Sequence, residues 1–238
     1  MAGPTGRGET PIMPAFLERL HRQTFAAISM LTPLAHARFL RTYFDWWHRR
    51  PDPWKVTCSE DEQHKYKVTL AQVPVGRYRT VLDIGCSEGT FTRLAAATFA
   101  EAEVTGIDIS ARAIHRARRA AGRATFVQQN LLDDSWSPRA ADLVFCSEML
   151  YYLGRDDRLR AASERLISVL EPDGVLVVVH PWPDALRLHH YLDVDPRLVR
   201  VSGHVDEDTR QTFAVTVYRR RAGSASPDQA RYSRSACA

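Results

Sequence analysis

The sequence predicts an α/β fold, a seven-stranded, mostly parallel sheet with an antiparallel last strand, preceded by an N-terminal helical appendage. Three observations carry this. From Arg79 onward, short runs rich in β-branched residues alternate with stretches of helical periodicity, as in doubly wound sheets. The apolar run Val81-Leu82-Asp83-Ile84 leads straight into a turn bearing Gly85 and Gly89. The last two apolar runs are separated only by Gly203 to Asp208, long enough for a hairpin and too short for a helical crossover.

Taken in order, residues 1–14 are rich in Gly, Pro and Thr and are expected to be a disordered leader. Ala15 to Met30 and Pro33 to Arg49 carry apolar residues at helical spacing, with Pro33 suited to a first helical turn. Pro51 and Pro53 then enforce an extended or turned segment, and the pattern turns helical again from His64 to Gln72. Residues 15–72 are therefore read as a helical lid and 73–221 as the main domain. Within it the predicted order is strand 80–84, helix 90–99, strand 103–108, helix 110–121, strands 124–128 and 140–146, helix 155–170 and strand 174–180. A short helix around Asp184 to Tyr191 and strands at 197–202 and 211–218 follow, and residues 222–238 read as a disordered tail.

At 238 residues and 45% hydrophobic composition, the chain suffices for one buried core with an appendage. Its longest apolar runs, such as Val175 to Val179, are strand-sized, far short of the roughly 20 residues of a membrane helix, and no membrane partner is expected. No secretory signal is recognisable, which predicts a cytoplasmic protein. Cys58, Cys86, Cys146 and Cys237 lie far apart and form no metal-ligand spacing, so no metal site is predicted. The net charge of +4 is mostly arginine on one helix (Arg112, Arg116, Arg118, Arg119, Arg123) and in the tail. A solvated face explains that better than nucleic acid, since no recognition motif accompanies it. A monomer or a homodimer is expected.

The turn Gly85-Cys86-Ser87-Glu88-Gly89 allows the backbone to approach a ligand closely. The second strand, Val104-Thr105-Gly106-Ile107-Asp108, ends in an acid just before a helix whose N-cap is Ser110. An acid at that strand tip is placed to hold a ribose diol, so the two features point to one adenosine-containing ligand. The dinucleotide fingerprint GxGxxG is absent, and Asp83 before the glycines suits a cationic amino-acid moiety better than a pyrophosphate.

The segment from Trp54 to about Arg219 resembles class I S-adenosylmethionine-dependent methyltransferases, which have a Rossmann-like fold. More narrowly it is similar to the NodS-like N-methyltransferase group. The narrower likeness rests on Pro53-Trp54, Lys65-Tyr66-Lys67-Val68-Thr69-Leu70, Asp83-Ile84-Gly85-Cys86-Ser87 and Ser147-Glu148-Met149-Leu150-Tyr151-Tyr152-Leu153. The resemblance implies S-adenosyl-L-methionine as cofactor, with S-adenosyl-L-homocysteine as product. Asp83, Gly85, Cys86 and Gly89 would lie along the methionine part, Asp108 would hold the ribose, and Ile109 would pack on the adenine. Asn130 and Leu131 would border the adenine edge. Ser87 and Asn130 depart from the family pattern, where a glycine and an aspartate often stand.

Reactive residues belong at the carboxyl ends of the fourth and fifth strands. Those ends carry Ser147, counted with the cofactor residues, then Glu148, Tyr151 and Tyr152, and later His180. Glu148 and His180 are the candidates for binding or deprotonating an acceptor, with a satisfied structural role as the alternative for each. Trp54 and Tyr66 are placed over the cofactor, where aromatic faces favour a cation. His64, Tyr151 and Tyr152 are placed towards the substrate. The expected activity is methyl transfer to a small molecule, with an amine such as an amino sugar favoured because an amine needs less help from a base than a phenol. An O-methyltransferase of a phenolic or polyketide-like metabolite, a macromolecular methyltransferase and a non-catalytic cofactor-binding protein are the alternatives.

Overall fold

A computed structural model describes residues 25–223 apart from 26, 134 and 137. Strand β1, Thr80–Ile84, buries its last four side chains, as a parallel strand covered on both faces should. It pairs in parallel with β2, Glu103–Asp108, on one side and with β4, Ala141–Ser147, on the other. Strand β3, Thr125–Gln128, continues beyond β2, and β5, Leu170–Pro181, beyond β4. The last strand, β7 (Phe213–Arg220), inserts antiparallel between β5 and β6 (Leu198–Asp206), giving the order β3-β2-β1-β4-β5-β7-β6. The predicted seven-stranded sheet with its antiparallel final strand is present.

Alternation along the strands splits the core into two layers. Leu82, Ile84, Val144, Cys146, Leu176 and Val178 face helix α5, Asp156–Ser168. Val81, Leu143, Phe145, Val175, Val177 and Val179 face α3 (Thr90–Thr98) and α4 (Ala111–Arg119). The N-terminal appendage contributes α1, Pro33–Trp47, whose first turn Thr32 caps, and α2, Glu60–Ala71. Helix α2 starts four residues before the predicted His64, because Ser59 caps it and Glu60, Asp61 and Glu62 favour its positive end. The predicted helix 15–30 lies largely outside the described residues, as do the leader and nearly all of the tail.

Two predicted strands prove longer than expected, one at its start and one at its end. Strand β5 begins at Leu170, which pairs with Ala141 across an irregularity in the ladder. The presumed turn from Gly203 is strand instead, since β6 stays in register with β7 from Gly203 opposite Thr216 to Asp206 opposite Phe213. Two one-turn helices, α6 (Ala185–Leu188) and α7 (His190–Asp193), replace the single short helix expected there. Among the described residues no helix is long and apolar enough to cross a membrane.

Candidate active site

From β1 the chain winds to β2 and β3, then returns to β4 on the other side of β1, so a crevice opens beyond the carboxyl ends of β1 and β4. A cavity of about 300 Å³ fills it, roofed by α1, α2 and the segment between them. Its floor is the turn after β1. Gly85 takes φ +82°, and a Cβ there would stand 3.2 Å from Met149 Cβ. The amides of Gly85 and Cys86 both donate to Ile107 O at 2.9 Å, which fixes the turn on β2.

Gly89 closes the turn but does not line the cavity; its role is to head α3 in a left-handed conformation, φ +79°. An added Cβ would lie 2.5 Å from the Phe126 ring. Gly89→Ala combines left-handed strain with overpacking and is expected to destabilise the fold by roughly 2–5 kcal/mol, measurable by urea denaturation. An unchanged midpoint would contradict the packing described.

Asp108 ends β2 and faces the cavity. Its Oδ2 accepts from Ser87 N at 2.9 Å and its Oδ1 from Ser110 N at 2.8 Å. Each carboxylate oxygen has two lone pairs, so one per oxygen is left for a vicinal diol. Burial pushes the Asp108 carboxyl above its usual range, while the Ser110 and Ser87 amides and His48 pull the other way. Ser87 holds φ +50°, where a glycine would be unstrained, and its Oγ lies 2.9 Å from His48 Nε2. Arg116 ties the same turn to the appendage, donating to Glu88 Oε1 at 2.8 Å and to the carbonyl oxygens of Arg49 and Arg50.

Asp83 lies deeper, only 3% exposed, and accepts from Thr92 Oγ1 at 2.6 Å. Burial raises its carboxyl to about 7, and the nearby Asp108 adds to the effect. Such a group is stabilised when a ligand brings a cation beside it. In the free protein the sign is the reverse. The unfolded carboxyl ionises near 3.8 and the folded one near 7, so its contribution to stability is full below about pH 4 and is lost as pH rises to about 7. Asp83→Asn is therefore expected to raise Tm at pH 8, with the gain vanishing towards pH 4, while weakening binding of a cationic ligand. A Tm at pH 8 no higher than wild type would contradict this.

Tyr66, Trp54, Ile109, Asn130, Leu131 and Ser147 all border the cavity. Asn130 Oδ1 accepts from Leu132 N at 3.1 Å within its own turn. Trp54 packs on His48 and Phe44, and Tyr66 on Phe91. Cys86 and Cys146 are buried thiols whose ionisation burial opposes.

The opposite end of the cavity lies under α2. Glu148 sits at the tip of β4 with φ +53°, a left-handed conformation that a carboxylate side chain rarely takes, and its amide donates to Val179 O. Lys65 Nζ donates to Glu148 Oε1 at 3.1 Å and to Glu62 Oε1 at 2.9 Å. Burial works against the Lys65 ammonium, but Glu148 and Glu62 outweigh it and hold it charged. Tyr151 and Tyr152 stand beside them with ring centroids 4.4 Å apart, and burial raises both phenols.

Besides Gly89, two expected site residues are not brought to this cavity. His180 shares the β5 face of Leu176 and Val178, so its ring enters the core layer behind the site while Val179 borders the cavity. It is fully buried, and its Nε2 accepts from Leu150 N at 3.1 Å. His64 points outward instead, donating to Asp206 Oδ2 at 3.1 Å; with Asp206 and Asp208 it places ligand-type atoms within 4.8 Å of one another, away from the cavity. Conversely, Glu62, Lys65 and His48 were not singled out. The first two were findable: Glu62, Lys65, Tyr66 and Thr69 form an i, i+3, i+4, i+7 stripe that lines the cavity, and Tyr66 was already placed there. His64 falls off that stripe.

Comparisons with known proteins agree with this geometry. Residues 81–174 match the family described as a methyltransferase domain. A trans-aconitate 2-methyltransferase from Paracidovorax citrulli is 37% identical over 115 residues, covering 47% of this chain and 42% of that protein. Its counterpart from Methylobacterium radiotolerans is 36% identical over 132 residues, covering 55% and 49%. The matched stretch thus spans less than half the length of these relatives. The structure of the N-methyltransferase NodS from Bradyrhizobium japonicum, in complex with S-adenosyl-L-homocysteine, superimposes with a TM-score of 0.66 at 21% identity, over 76% of this chain and 97% of that one. That likeness shows the fold. The paired acceptor sites of Asp108, the buried carboxyl of Asp83 and the close-approach turn at Gly85 fit the ribose and the cationic methionine end of S-adenosylmethionine.

Proposed function

We propose that the chain is a class I S-adenosylmethionine-dependent methyltransferase and that it transfers a methyl group to an amine on a small molecule, such as an amino sugar. One observation carries the choice of amine. Lys65 is the one lysine or arginine among the described residues lining the cavity, and two carboxylates already hold it. The acceptor end therefore has an excess negative charge that favours an ammonium group. A polycarboxylate, the acceptor named for the trans-aconitate relatives, would meet that charge without a free cation to pair with.

The bound cofactor supplies a methyl group on a sulfonium. Asp108 would orient the ribose, and Asp83 would lie beside the cationic amino-acid end. The acceptor, drawn in as an ammonium, would first lose one proton to water, and Glu148 would accept a hydrogen bond from a remaining N–H, aiming the freed nitrogen lone pair at the methyl carbon. As the new N–C bond forms and the S–C electrons pass to sulfur, positive charge moves onto nitrogen, and the fixed carboxylate stabilises it there. The surplus proton on nitrogen then leaves to water. Tyr66, Trp54 and Phe44 cover the site and exclude bulk water.

Transfer of label from methyl-tritiated S-adenosylmethionine to D-glucosamine, tyramine, 4-hydroxybenzoate and trans-aconitate tests this. Labelling of an amine alone is expected. Labelling of trans-aconitate and of neither amine would overturn the amine assignment in favour of carboxyl O-methylation.

A further inference from the structure

Behind the acceptor end, three buried side chains form a continuous polar chain. Leu150 N donates to His180 Nε2 at 3.1 Å, His180 Nδ1 lies 2.9 Å from His189 Nε2, and His189 Nδ1 lies 3.1 Å from Thr216 Oγ1. His180, His189 and Thr216 are 0%, 3% and 3% exposed. These contacts fix where every proton sits. A backbone amide can only donate, so His180 Nε2 is bare and the proton of its neutral ring is on Nδ1. That N–H donates to His189 Nε2, which must also be bare. His189 therefore carries its proton on Nδ1 and donates it to Thr216 Oγ1. Burial keeps both rings neutral, depressing His180 well below the ordinary histidine value and His189 to about 4, so a second proton does not scramble the chain at neutral pH.

The chain ends on a consequential amide. Leu150 opens the short 3₁₀ turn Leu150–Leu153, whose first amides have no partner within the turn. It stands between Glu148, in its left-handed conformation, and the Tyr151–Tyr152 pair. The Tyr151 ring also packs edge-on against His180, with centroids 6.1 Å apart. We infer that His180 is a positioning residue: the one-way chain from Leu150 through His180 and His189 to Thr216 sets where Glu148, Tyr151 and Tyr152 stand against the acceptor. The kinetic part of this rests on the proposed amine methylation, whereas the proton pattern does not.

The test is long-range proton–nitrogen correlation on protein labelled with 15N-histidine at pH 7, together with exchange of the Leu150 amide. His180 and His189 are both expected to show a bare Nε2 and a protonated Nδ1. His189→Phe touches neither Leu150 nor the cavity, yet it is expected to speed Leu150 exchange by about tenfold or more while Val177 and Val178 keep theirs. It is also expected to lower kcat with D-glucosamine on the order of 10- to 100-fold, with S-adenosylhomocysteine affinity within about twofold of wild type. A protonated Nε2 on His180 would overturn the inference even if the variant does not fold. So would unchanged Leu150 exchange in a folded variant, or a parallel loss of S-adenosylhomocysteine affinity. A wild type that shows both tautomers but methylates no amine would count against the proposed function and leave the proton chain standing.

Discussion

Glu148→Gln is expected to lower kcat for an amine acceptor by about 100-fold or more, with S-adenosylhomocysteine affinity within about twofold of wild type. Glutamine keeps the shape, and its amide oxygen can still accept from Lys65, which lies 3.1 Å from Glu148 Oε1. What disappears is the negative charge facing the nitrogen, which becomes positive only as the methyl group arrives. Removing one fixed electrostatic partner of a developing charge typically costs about 10²–10³ in kcat. The left-handed backbone at φ +53° carries the same strain with either side chain, so any loss of stability comes from the weaker hold on the buried Lys65 ammonium, which Glu62 still pairs. Steady-state kinetics with D-glucosamine check this, and a kcat within a few-fold of wild type would remove Glu148 from the mechanism.

Asp108→Ala is expected to weaken S-adenosylhomocysteine binding by about 100-fold or more. Two ribose hydrogen bonds to a charged acceptor are lost, each worth about 1.5–3 kcal/mol, and each 1.4 kcal/mol is about tenfold in Kd. The same change leaves the Ser87 and Ser110 amides without their carboxylate, so the turn that cradles the ligand loosens as well. Asp108→Asn should do little better, because its amide group would set a donor against one of those N–H groups. Affinity retained in either variant would mean that the ribose is held elsewhere.

Much of this architecture was legible because period and turn chemistry are local. The alternation after Arg79 marked a doubly wound sheet, and Asp83, Gly85 and Asp108 fall at the crevice of its switch point. Features set by packing between distant segments were not legible. His180 lies at a carboxyl strand end, but strand parity sends it to the core face with Leu176 and Val178. His48 meets Ser87 across 39 positions, and Lys65 meets Glu148 across 83, contacts that no spacing rule connects. Strand β6 runs past Gly203 because β7 supplies partners as far as Phe213, an influence that the local turn residues do not reveal.

Calorimetric titration of S-adenosylmethionine and S-adenosylhomocysteine into the wild-type protein tests the central claim most directly. The account predicts saturable binding of both at one site per chain, abolished or strongly weakened by Asp108→Ala. A folded wild-type protein that binds neither would contradict the assignment of the β1–β4 crevice as a methyl-donor site.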